Sequence, residues 1–263
     1  MCLNITKILE KKSMESEGLL VNAYSNISKI DTDSTLVFIH GAGENPDCWF
    51  EVIRSLINKV SIIVLERPGY GLSQENPIDN IELTKFVLEK AVESYRIKRK
   101  YILVGHSLGG YISLLIQKKL NIQGRILISS FCRFKLLNID LEQKDILNNI
   151  KRGFSKYTNK NIIDNFFKNI IGKKESIICD YHMTENLKIP DVLKAIKSPC
   201  LSVHAAEDHV VSSRQSKLLE KVLKGTLTIE VEQAGHNVIL ERPKYIADII
   251  ASFLVGGGGL RHG

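Results

Sequence analysis

The chain has 263 residues, 44% hydrophobic and 25% charged, which excludes disorder and supplies a core for one large α/β domain or two small ones. Its net charge of +7 comes from scattered Lys and Arg that never interleave with aromatics in a run, so a nucleic-acid reader is excluded. Five cysteines, an odd number without Cys-x-x-Cys, suggest neither a disulfide framework nor a zinc site and are expected as reduced thiols.

The N-terminal stretch lacks a continuous apolar run of signal-peptide type, and no run approaches the roughly 18 apolar residues of a membrane span, so a cytoplasmic protein is expected. Residues 18–24 and Thr35 to His40 are strand candidates, rich in β-branched and aromatic residues between polar clusters. The second is apolar enough to be buried on both faces. It runs into His40-Gly41-Ala42-Gly43-Glu44-Asn45-Pro46 and then a helix carrying Trp49, Phe50, Ile53, Leu56 and Ile57. The Gly-x-Gly is not a dinucleotide loop, because the third glycine of Gly-x-Gly-x-x-Gly would fall at Pro46. The loop is either a plain strand-to-helix turn or a donor of backbone N–H groups to an oxyanion, with Ala42 as the donor.

Ser61 to Leu65 is another buried strand, ending in a Gly/Pro-rich turn, Arg67-Pro68-Gly69-Tyr70-Gly71-Leu72-Ser73. Ile81 to Ile97 has the spacing of an amphipathic helix. The apolar run Tyr101 to Val104 then leads into Gly105-His106-Ser107-Leu108-Gly109-Gly110 and an apolar helix. Gly-x-Ser-x-Gly between a strand and a helix is the pattern of a nucleophile elbow, in which a strained serine projects at a helix N-terminus. With a further strand at Arg125 to Ser130, the βαβα rhythm predicts a mainly parallel sheet covered on both faces, with active loops at the carboxyl ends of its strands.

The rhythm breaks from Phe131 to Ile196, where no strand signal occurs and helices are expected over Leu141 to Tyr157 and Asn161 to Ile171. Ile162, Ile163, Phe166, Phe167, Ile170 and Ile171 form one apolar stripe. Residues 131–196 are expected to be a helical cap that roofs the site and supplies its substrate contacts, with Trp49 as a further candidate. Its basic residues, among them Lys144, Lys151, Arg152, Lys156, Lys160, Lys168, Lys173 and Lys174, form either a solvated face or a surface for an acidic carrier protein. Strands resume at Cys200 to His204 and Leu227 to Val231, with a helix at Ser213 to Leu223 between them. Asp208 and His236 each follow one of these strands, and the order Ser107, Asp208, His236 is that of Ser–acid–His hydrolases. Residues 256–263, Gly-rich, read as a flexible tail.

The segments His40-Gly41-Ala42-Gly43, Arg67 to Ser73, Gly105 to Gly110, Ala206-Glu207-Asp208 and Ala234-Gly235-His236 together resemble the α/β-hydrolase fold superfamily. The resemblance covers residues 35–130 and 196–254, and departs at Glu66, where relatives more often have Asp, and at His204-Ala205-Ala206, where they usually carry Gly. It implies one α/β-hydrolase core, residues 1–130 and 197–255, with the cap inserted after the sixth strand. Ser107 would be the nucleophile, His236 the base, Asp208 rather than Glu207 the acid, and the N–H groups of Ala42 and Leu108 the oxyanion hole. His40 and His106 would shape the loops, and His182, His204 and His209 would be ordinary polar residues. Such a site needs no metal or organic cofactor. The implied activity is hydrolysis of a carboxylic ester or thioester with a small to medium acyl group through an acyl-enzyme, with C–C bond hydrolysis, carrier-protein ester or thioester cleavage, and a non-hydrolytic small-molecule receptor as alternatives.

Overall fold

The computed structural model describes residues 4–73, 77–96, 99–117, 120–135, 148, 150–170 and 173–256. Eight strands form one sheet: β1 (Glu10–Ser16), β2 (Leu19–Ser25), β3 (Ser34–Ile39), β4 (Ser61–Leu65), β5 (Lys100–His106), β6 (Ile122–Ile128), β9 (Cys200–Ala205) and β10 (Leu227–Val231). A separate two-residue pair joins β7 (Phe134–Lys135) to β8 (Asn186–Leu187). The sheet order is β1-β2-β4-β3-β5-β6-β9-β10, antiparallel for β1–β2 and β2–β4 and parallel from β4 to β10. Helices are α1 (Phe50–Arg54), α2 (Ile81–Glu93), α3 (Leu108–Leu115), α4 (Lys160–Ile170), α5 (Lys174–Thr184), α6 (Arg214–Val222), α7 (Val238–Glu241) and α8 (Pro243–Val255).

The central strands are apolar on both faces because both faces are covered. Leu36, Phe38, Ile62, Val64, Ile102 and Val104 point into a layer with α1, α7 and α8. The alternate residues Val37, Ile39, Ile63, Leu65 and Leu103 point into a layer with α2 and α3. Strand β1 has no counterpart among the strands expected from sequence: its polar run Glu-Lys-Lys-Ser-Met-Glu-Ser lies at the sheet edge with every side chain exposed or half-buried. It owes its place to the hairpin with β2, turned by Glu17 and Gly18 at φ 54° and 70°.

The helix expected around Trp49 is a 3-10 turn, Pro46–Trp49, running into the short α1. Asn45 caps that turn by accepting the Asp47 N–H at 3.0 Å. Helix α2 stops at Glu93. Between β6 and β9 the chain forms α4 and α5, and the expectation of no strand there is corrected by the β7–β8 pair, too short to carry an alternating pattern. Helix α5 was not anticipated, since its apolar residues do not gather on one face. Of the helix expected over Leu141 to Tyr157, residues 141–147 and 149 lie outside the described residues, and the chain leaves the helical path after Lys151. There tertiary bonds override local preference: Gly153 O accepts the Asn237 N–H, and Thr158 Oγ1 donates to Glu241. In the expected apolar stripe Ile170 is buried against Ile177, while Phe166 and Phe167 are half-buried beside them. Ile171, Lys144 and tail residues 257–263 lie outside the described residues.

Candidate active site

Ser107 occupies the one-residue turn between β5 and α3, at φ 50° and ψ −120°. A serine in this region is strained, and the surroundings enforce it. The Ser107 N–H donates to Ile128 O at 2.9 Å, and its carbonyl accepts from Gly110 N at 3.0 Å and Ser130 Oγ at 2.8 Å. Gly105 is required by the closeness of strand and helix: a Cβ there would stand 2.5 Å from the Gly109 backbone.

The Ser107 hydroxyl lies 2.9 Å from His236 Nε2, and His236 Nδ1 lies 2.9 Å from Asp208 Oδ2. The three come from the ends of β5, β9 and β10, drawn to one edge by the parallel register. The other Asp208 oxygen accepts the N–H groups of Val210 and Val211 at 2.9 and 2.8 Å. Burial of Asp208 is outweighed by the His236 imidazole and these bonds, which hold its pKa below the ordinary value. Glu207 instead accepts from Ser155 Oγ at 2.7 Å, so Asp208 is the acid bonded to His236.

The N–H groups of Ala42 and Leu108, the expected oxyanion donors, have no hydrogen-bond partner among the described residues. The neighbours of Ala42 are engaged. Gly41 N donates to Glu44 Oε2 at 2.7 Å, and Gly43 N to Tyr70 Oη at 3.0 Å and Asp180 Oδ2 at 3.2 Å. The Gly41 carbonyl meets His40 Nδ1 at 3.0 Å and Arg67 Nη2 at 2.9 Å.

Behind the serine lies a second imidazole–carboxylate pair, His106 Nδ1 to Glu44 Oε2 at 2.9 Å, with both side chains buried. His106 Nε2 donates to the carbonyl of His236 at 2.9 Å. Burial opposes charge on each member, but each outweighs it for the other: Glu44 is held down at about 2 and His106 is raised. A third buried group joins the segment between β6 and β9 to the loop after β4. Asp180 of α5 accepts from Arg67 Nη1 at 2.8 Å, Arg67 Nη2 at 2.6 Å and Tyr70 Oη at 2.5 Å. Glu44 and Asp180 were not singled out by sequence reasoning, and Arg67 only as part of a turn; no spacing links residues so far apart.

Trp49, a candidate substrate contact, is fully buried in the core between Phe38 and His106, with ring centroids 5.0 and 6.5 Å away. It backs the elbow instead of facing its opening. His182 and His209 are exposed, and His204 bonds Glu230 at 2.6 Å on the β9–β10 edge. None of the three meets Ser107. Glu66, the departure from the usual Asp, is buried and ties β2 to the turn after β4 through Asn22, Tyr24 and the Leu72 N–H.

A family model described as alpha/beta hydrolase family matches residues 36–249. The chain belongs to the alpha/beta hydrolase family. Among curated relatives of this hydrolase, a pimeloyl-(acyl-carrier protein) methyl ester esterase from Wigglesworthia glossinidia brevipalpis is 28% identical, over 83% of this chain and 93% of the relative. An esterase from Exiguobacterium antarcticum superposes with a TM-score of 0.82 at 15% identity, covering 94% of this chain and 100% of the other. A thermophilic esterase from Thermogutta terrifontis gives 0.81 at 18% identity, covering 95% and 99%. At these identities the two solved structures establish the fold of this hydrolase.

Proposed function

We propose that the protein is a serine hydrolase that cleaves small carboxylic esters or thioesters through an acyl-enzyme. The observation that carries this reading is the unbroken hydrogen-bond chain Ser107–His236–Asp208, with both steps at 2.9 Å. His236 Nε2 takes the hydroxyl proton as Ser107 Oγ bonds the acyl carbon, and Asp208 fixes the ring tautomer and steadies the imidazolium. The carbonyl oxygen becomes an oxyanion, for which the N–H groups of Ala42 and Leu108 are the assigned donors, each worth on the order of 100-fold to 1,000-fold in kcat. His236 then protonates the leaving alcohol or thiol as the tetrahedral adduct collapses. Water, activated by the same imidazole, releases the acid and restores Ser107. The segment 131–196 serves as a cap over this site, a role supported by the bonds of Asp180 to Arg67 and Gly43. Reduced thiols at Cys48, Cys132, Cys179 and Cys200 fit a cytoplasmic setting.

A panel of p-nitrophenyl esters and thioesters of increasing acyl length tests the reading. Turnover that falls at least about 1,000-fold in Ser107→Ala supports it; no turnover by the wild type on any member refutes it. A second reading, cleavage of an ester carried on an acidic acyl-carrier protein, is favoured by the exposed Lys151, Arg152, Lys156, Lys160, Lys168 and Lys174 and by the carrier-protein esterase among the relatives. On that reading kcat/KM for a carrier-bound ester falls steeply as salt is raised, while that for a free short ester does not. Equal salt dependence of the two would remove it.

A further inference from the structure

Building on the assignment of the Ala42 N–H to the oxyanion hole, we propose that Arg67 and His40 are positioning residues that orient and polarise this donor through the Gly41 carbonyl, and that Asp180 makes the arrangement depend on the docked helix α5. In a planar trans peptide the C=O of one residue and the N–H of the next point in opposite directions. No peptide bond among the described residues is cis, so whatever fixes Gly41 O also fixes the direction of the Ala42 N–H. Two donors converge on that oxygen, Arg67 Nη2 at 2.9 Å and His40 Nδ1 at 3.0 Å.

The proton on His40 is assigned by its other nitrogen. The Arg67 backbone N–H donates to His40 Nε2 at 3.1 Å, so Nε2 carries the lone pair and Nδ1 the hydrogen. Burial, reinforced by the Arg67 charge, holds the His40 pKa down at about 3 and keeps the ring in this neutral form. Arg67 thus acts twice, orienting the imidazole with its main chain and the carbonyl with its guanidinium. Donation to a peptide carbonyl strengthens the N–H at the other end of the same unit, and a charged donor does so more than a neutral one.

Asp180 holds the guanidinium by both terminal nitrogens and also accepts the Gly43 N–H at 3.2 Å. Both sides of the Ala42 peptide are therefore tied to one carboxylate on α5. A fully buried ion pair is a weak source of net stability, whereas this one fixes the geometry of a loop whose middle N–H has no partner among the described residues. A shift of α5 would release the Arg67 fork and the Gly43 N–H together.

The test uses the full chain and a short p-nitrophenyl ester, with a trifluoromethyl ketone as transition-state analogue, since its adduct with a serine places an oxyanion in the hole. Arg67→Met is expected to lower kcat/KM about 10-fold to 100-fold, mostly in kcat, and to weaken the ketone by the same factor. Arg67→Lys should recover part of both losses, and Asp180→Asn should show a smaller loss of roughly three- to tenfold, again matched in the ketone. Activity within twofold of wild type in folded Arg67→Met overturns the inference, as does lost activity with unchanged ketone affinity. If Arg67→Met does not fold, Asp180→Asn and Arg67→Lys decide by the same proportionality. A wild type that neither turns over esters nor binds the ketone overturns the underlying hydrolase reading as well; an active wild type with unaffected variants overturns this inference alone.

Discussion

Ser107, His236 and Asp208 lie in one hydrogen-bond chain, so the proposed transfer of the Ser107 proton to His236, with Asp208 holding the ring, needs no rearrangement. Less expected is the charge stored beside them in Glu44 and His106. The depressed Glu44 pKa contributes stability that is present above its ordinary 4.5 and lost as pH falls toward about 2. The raised His106 pKa contributes stability that is present below its ordinary 6.5 and lost as pH rises through the raised value. Both contributions are whole only between about pH 4.5 and 6.5. Glu44→Gln should therefore cost about 1–3 kcal/mol in that window, or roughly 3–10 °C in Tm, and less on either side. Thermal melts across pH check this, and a Tm difference independent of pH would contradict the charged pair. At this scale the sequence singled out Ser107, Asp208 and His236 because each sits at a strand end in a known order, and the fold brings the three into hydrogen-bond contact. Glu44 and His106 are 62 residues apart and Arg67 and Asp180 are 113 apart, so only the fold brings them together.

At the scale of elements, the elbow depends on how closely α3 can approach β5. Gly105→Ala would press a methyl group against the Gly109 and Gly110 backbone at 2.5 Å, and neither strand nor helix can yield without moving Ser107. A loss of about 1–3 kcal/mol is expected, with ester turnover falling further than stability does. Denaturant titration beside a turnover assay measures both; unchanged values for the two would mean that the elbow tolerates the methyl group. The buried strands β3, β4 and β5 were legible because each is largely apolar on both faces, and β9 because its short run is bounded by Ser198-Pro199 and carries Leu201 and Val203 on one face. Strand β1 was not, since an edge strand paired on one side has no need of apolar side chains. Helix α5 was hidden for a related reason: it buries Ile177 and Met183 but also Ser176, Asp180 and Thr184, and so shows no apolar stripe.

Across the whole molecule, the sheet gathers three chemical groups at its carboxyl edge, and among the described residues two clusters of polar bonds tie the segment between β6 and β9 to the same edge. One is Asp180 on the loops after β3 and β4. The other is the stretch Gly153 to Thr158 on the loop of His236, where Glu241 accepts from Ser155 N, Thr158 Oγ1 and Gly235 N. The α/β rhythm of the chain announced the sheet, but the segment between β6 and β9 is held on it by Phe131, Met183 and Leu187 packed beside α3 and by polar contacts, neither of which leaves a periodic trace in sequence. The central claim, that Ser107 is an activated nucleophile, is tested most directly by intact-mass measurement after exposure to a fluorophosphonate. One adduct per chain, mapped to Ser107 and absent in Ser107→Ala, is the predicted result. An unmodified wild type, or an adduct that persists in Ser107→Ala, would contradict it.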